Sequence, residues 1–191
     1  MAMHKVMRTA VLAAVLALPF APGPFAPAHA QGIRAPSLQR TTLVVGDIER
    51  SIDFYQRLGL VKLSDTPGGE AGSEVFGAAD LPLTSDAKTS RFVVMKGGDT
   101  AMLALLWYDR PPLPSARGNL VGMGIGDVIV GVEVSDLQGA YTRLNQIGTR
   151  FQRPPVRFTL PGADGTPQSG QHMLAYDPDG RLVQITQSDR R

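Results

Sequence analysis

The chain has 191 residues, 43% of them hydrophobic, with 19 Lys and Arg against 17 Asp and Glu and no Cys. That length suits one domain, or two small modules sharing a core. The absence of Cys excludes disulfides, thiolate metal sites and a lipid-anchored lipoprotein. The basic excess is Lys5 and Arg8, so residues 31–191 carry no net charge, and neither nucleic acid nor an anionic membrane surface is an expected partner.

Residues 1–30 read as a secretory signal peptide. Lys5 and Arg8 form a positive start, Ala10 to Leu18 is an apolar run too short to span a bilayer comfortably, and Ala28-His29-Ala30 is a small–x–small cleavage site. The pattern predicts cleavage after Ala30, a secreted or periplasmic protein, and no stable membrane insertion afterwards. Residues 31–39 form a short arm without periodicity.

A first module is expected over residues 40–108. Thr41 to Val45 reads as a strand, and Asp47 can cap a helix by accepting from the free N–H groups of its first turn. Ile48, Ile52, Tyr55 and Leu58 form one apolar stripe of that helix. Gly59 supplies the left-handed stop. Leu60 to Leu63 is a second strand. Thr66 to Ser90 is polar and rich in small residues, with one or two helical turns expected over Ser73 to Ala79; such long loops often act as lids. Arg91 to Lys96 and Ala101 to Tyr108 are strands joined by a Gly97-Gly98-Asp99 turn.

Residues 109–127 form a linker stiffened by Pro111, Pro112 and Pro114. The second module, residues 128–191, repeats the first. Val130 to Val134 is a strand and Asp136 a cap, 89 residues after Asp47. Leu137, Tyr141, Leu144 and Ile147 restate the stripe, and Gly148 the stop. Arg150 to Val156 is a strand placed at a sheet edge by Pro154-Pro155. Leu160 to Gly170 is a loop, Gln171 to Tyr176 a strand, Asp177-Pro178-Asp179-Gly180 a turn and Arg181 to Gln187 the last strand. The fold class is therefore α+β, with two βαβββ modules.

Val44-Val45-Gly46-Asp47-Ile48, Ser51, Phe54-Tyr55, Leu58-Gly59 and the closing Tyr176-Asp177-Pro178-Asp179-Gly180-Arg181-Leu182-Val183 resemble the vicinal oxygen chelate superfamily. That superfamily includes glyoxalase I, extradiol dioxygenases and bleomycin and fosfomycin resistance proteins. The resemblance covers about Thr41 to Gln187. It implies a cup of curled mixed sheet with helices outside and, in the enzymes, one divalent metal held by His, Gln or Glu from the first and last strand of each module. Carried over, the ligand positions become Arg40, Ile129 and Gln184, with the fourth near Leu103 and Met102 or Ala104 one residue away. Arg has no acceptor, and Ile and Leu have no donor atom. His172 is the sole histidine of residues 31–191. No cofactor is expected on this reading.

Strand alternation assigns Leu43, Val45, Val132, Val183 and Ile185 to the helix side. The cup side then receives Arg40, Thr42, Leu103, Leu105, Trp107, Ile129, Glu133, Gln184 and Thr186 as ligand-binding candidates. Such an apolar lining with a few polar groups suits a small-molecule ligand. Arg40 can clamp a carboxylate or oxyanion; the plainer reading pairs it with Glu133 or lays it along the rim. Trp107 either stacks on a flat ligand or belongs to the core. Gln184 holds a ligand carbonyl or satisfies its neighbours. His172 is a general base or a structural residue. Asp177 and Asp179 are explained by turn formation.

The leading expectation is an exported, metal-free binding protein for a small organic ligand, anionic if Arg40 engages it. The alternatives are a metal-dependent lyase, isomerase or dioxygenase with a displaced site built on Gln184, Glu133 and His172, and an interaction module with a filled cup. Whether the modules pair within a chain or across a homodimer is left open, as is any catalytic residue.

Overall fold

The computed structural model describes residues 38–68, 87, 89–98, 101–109, 123–162 and 165–189. The expected signal peptide, the helical turns over 73–79 and the linker prolines lie outside them.

In the first module, β1 (Thr41–Val44) leads into α1 (Ile48–Arg57), then β2 (Val61–Pro67), β3 (Ser90–Gly97) and β4 (Ala101–Tyr108). In the second, β5 (Val130–Glu133) leads into α2 (Leu137–Asn145), then β6 (Phe151–Pro161), β7 (Pro167–Tyr176) and β8 (Leu182–Ser188). Each module is a four-stranded mixed sheet, in the orders β1-β4-β3-β2 and β5-β8-β7-β6. The first strand of each runs parallel to the last, and the remaining pairs are antiparallel. The expected α+β pair of βαβββ modules is present.

Local chemistry explains the elements. Asp47 and Asp136 cap the helices, accepting from Arg50 N–H at 3.1 Å and Gly139 N–H at 2.8 Å. Gln187 Oε1 accepts from Leu137 N–H at 2.8 Å, a second cap for α2 from the neighbouring strand. Gly59 and Gly148 take positive φ after the helices. The helices also meet each other: Arg143 Nε donates to the Arg57 carbonyl at 2.9 Å, and Arg57 Nη1 to that of Arg143 at 3.4 Å.

One apolar core serves both modules. Leu43, Ile52, Tyr55 and Leu105 from the first join Leu137, Leu144, Met173 and Ile185 from the second in a single buried cluster. The two stripes are unequal. Leu58 is buried, whereas its counterpart Ile147 is exposed and Tyr141 only partly covered.

The strands differ from expectation where the local signals conflict. β6 continues past Pro154-Pro155 by register shifts and stays at the sheet edge, where missing N–H donors are tolerated. The expected loop over Leu160 to Gly170 is largely strand, because β6 and β7 extend to Pro161 and back from Pro167. Gly170 allows this close approach: a Cβ there would lie 2.3 Å from the Gln187 carbonyl oxygen.

Candidate functional site

Sheet register decides which side chains share a face. Thr42 pairs with Ala104 and Val44 with Leu106, while Leu43 pairs with Leu105. Paired residues point to the same side. Arg40, Thr42 and Val44 therefore face away from the helices together with Ala104 and Leu106. Leu103, Leu105 and Trp107 share the helix side with Leu43, and all three belong to or pack on the core. This corrects the expectation that they line the cup. Ala101 to Trp107 is an almost unbroken apolar run, which carries no alternation from which to read parity.

In the second module, Gly131 pairs with Gln184, and Glu133 with Thr186, which in turn pairs with His172. Ile129, Glu133, Gln184 and Thr186 thus share the open face, as expected. His172 stacks on Phe158, with ring centroids 5.6 Å apart. Thr186 Oγ1 donates to the Val132 carbonyl at 3.5 Å. Arg40 lies with its guanidinium 5.2 Å from the centre of the Phe92 ring, a cation–π contact, rather than against Glu133.

The same register tests the metal positions that the resemblance implies. Thr42–Ala104 in one module corresponds to Gly131–Gln184 in the other, so the fourth position is Ala104 rather than Leu103. Ala104 is buried. A guanidinium, a methyl group, a sec-butyl group and one neutral amide do not form a donor set for a divalent cation. Among the described residues, no three His, Cys, Asp or Glu lie close enough to hold a metal ion.

The modules meet along two seams related by the duplication, and these differ. One is closed by the turn between β7 and β8. Asp179 Oδ1 accepts from Gly46 N–H at 2.9 Å, and Arg181 Nη2 donates to the Val44 carbonyl. Buried Asp177 accepts from Tyr55 Oη at 3.2 Å, from Arg181 Nη1 at 3.1 Å and from the backbone N–H groups of Asp179 and Arg181 at 3.0 and 2.8 Å. Burial pushes the Tyr55 hydroxyl well above the usual tyrosine range, and the Asp177 carboxylate pushes it further. Sequence reasoning explains Asp177 and Asp179 as turn-formers alone and misses this seam. The one signal for it in the sequence is the Arg that follows the turn.

The other seam is open. A groove of about 1130 Å³ runs there, lined by every residue from Val128 to Ser135, by Leu38 to Thr41, by Leu58 to Leu60 and by the turn between β3 and β4. Arg40, Ile129 and Glu133 lie on it; Gln184, Thr186 and Thr42 do not.

A family model described as the Glyoxalase/Bleomycin resistance protein/Dioxygenase superfamily matches residues 37–185, and the chain belongs to this family. A glyoxalase family protein from Bacillus cereus superposes with a TM-score of 0.60 at 16% identity, over 82% of this chain and 98% of its own. The structure of UcmS2 matches at 0.50 and 19% identity, over 79% and 97%. Glyoxalase I of Leishmania major matches at 0.47 and 16%, over 80% and 87%. At such identities the likeness concerns the fold alone. None of the curated proteins compared by sequence matches significantly.

Proposed function

We propose that this chain is an exported member of the superfamily that binds a small organic ligand against its open sheet faces without the usual divalent metal. The observation that carries this reading is the donor set at the four inherited positions: Arg40, Ala104, Ile129 and Gln184. Charge that a metal would supply is here a fixed guanidinium, which suits a carboxylate or another oxyanion. The Phe92 ring beneath Arg40 holds that guanidinium without neutralising it, so two of its N–H edges stay available to a ligand. Exposed Val44, Ile129 and Met102 supply an apolar surround. Sequestration rather than turnover fits a site in which no described acid partners His172.

Calorimetric titration with a panel of small carboxylic acids tests this. The expected outcome is saturable binding to the wild type, weakened about 10- to 100-fold by Arg40→Ala, the loss expected when charge-assisted hydrogen bonds are removed. Elemental analysis of the purified protein should find far less than one Ni, Zn, Fe or Mn per chain. Stoichiometric metal, together with chelator-sensitive turnover of a hemithioacetal or catechol, would establish the rival enzyme built on Glu133, Gln184 and His172. Mass spectrometry of protein from an exporting host should place the N-terminus at Gln31, and an intact Met1 would refute export.

A further inference from the structure

The duplication makes each seam a template for the other. An offset of 89 carries Val44, Gly46 and Tyr55 onto Glu133, Ser135 and Leu144. The pairing of Thr42 with Ala104 against that of Gly131 with Gln184 fixes an offset of 80 for the last strands. It carries Asp177 and Arg181 onto Gly97 and Ala101. Every group that locks the first seam is thus reduced in the second: tyrosine to leucine, buried carboxylate to hydrogen, guanidinium to methyl. The counterpart of Asp179 is Asp99, outside the described residues. What survives is the receiving backbone. Val134 N–H turns inward to the Thr186 carbonyl, as Val45 N–H turns to that of Leu106. Glu133 C=O and Ser135 N–H therefore turn outward, as Val44 C=O and Gly46 N–H do, and have no partner among the described residues.

We infer that this open seam is a docking site for a polypeptide segment of a partner, one that brings a carboxylate to Ser135 N–H and a cationic N–H donor to Glu133 C=O. The occupant of the closed seam is such a segment, and it makes those two bonds to Gly46 and Val44. Dimensions agree. Eight consecutive residues of chain, Val128 to Ser135, line the groove, a length of roughly 23 Å at strand rise. Its volume of about 1130 Å³ exceeds the range of about 300–1,000 Å³ usual for small-molecule pockets. The corresponding space beside the closed seam is about 450 Å³. Exposed Val128 and Met102 on the groove wall offer apolar contact to side chains flanking the charged pair. Docking here is independent of the small-ligand site at Arg40, and different substitutions report on the two.

The test uses the full chain and a fluorescent synthetic peptide copying residues 175–183. Saturable anisotropy change is expected with the wild type. A peptide carrying Asp179→Asn and Arg181→Gln should bind at least about tenfold more weakly, the loss of one or two charge-assisted bonds. In the chain, Gly97→Asp with Ala101→Arg rebuilds the lock and should reduce binding by a similar factor. A Cβ at Gly97 meets only the Leu60 side chain, at 3.5 Å, so the position has room. Independently of any variant, the peptide should shift the amide resonance of Ser135 in the wild type. An unmoved Ser135 amide, or equal binding of the two peptides, overturns the proposal. So does an equal Ser135 shift from acetate or succinate at matched concentration, which would make the occupant a small molecule. A dimer in sedimentation that Gly97→Asp with Ala101→Arg dissociates would make the occupant a second copy of this chain and would overturn the proposal as well.

Discussion

Tyr55 and Asp177 show how a single contact ties stability to pH. The Tyr55 hydroxyl donates to a buried carboxylate in a site without solvent. Its pKa is raised on folding, so the native state disfavours the phenolate more than the unfolded chain does. The stabilisation is fully present below the unfolded value of about 10 and is lost as pH rises past it. Urea melts between pH 7 and 11 should show the wild type weakening steeply above about pH 10. Tyr55→Phe should cost about 1 kcal/mol at neutral pH and flatten that alkaline decline; an identical decline in both proteins would refute the account. At this scale the sequence revealed residue types but not partners. Asp47, Asp136, Gly59 and Gly148 could be placed because caps and stops are local. The bond from Gly46 to Asp179 joins residues 133 apart, which no local rule reaches.

Elements were legible where two periodicities compete and one wins. Both helices start where the Asp caps predict, and Pro154-Pro155 correctly marks β6 as an edge strand. β4 was legible as a strand but not as to its faces, since Leu103, Leu105 and Trp107 are as apolar as Ala104 and Leu106. Only the register with β1 separates them. The β6–β7 hairpin was hidden by Pro161-Gly162, which reads as loop. Its pairing depends on Gly170, where a methyl group would strike both the Gln187 carbonyl and the Phe158 ring, at 2.3 and 3.1 Å. Gly170→Ala should therefore destabilise by about 1–3 kcal/mol, the range for overpacking, lowering the melting temperature by several degrees. Unchanged calorimetric melting would show that the hairpin shifts without cost.

At the scale of the whole molecule, the repeat announced the fold, and the comparison with its family agrees. The groove could not be foreseen, because it arises from what one seam lacks relative to the other. A single buried cluster draws on both modules, so heating should produce one cooperative transition with equal calorimetric and van't Hoff enthalpies. Two resolved transitions would mean that the modules stand independently. The locked seam also has a consequence in time. Tyr55 waits for a carboxylate 122 residues downstream and Gly46 for one 133 downstream. At about 5–20 residues per second, the ribosome delivers those groups roughly 6 to 27 s later. Throughout that interval the nascent first half has a bare phenol and an uncapped strand end, so its final closure belongs to a chain already complete.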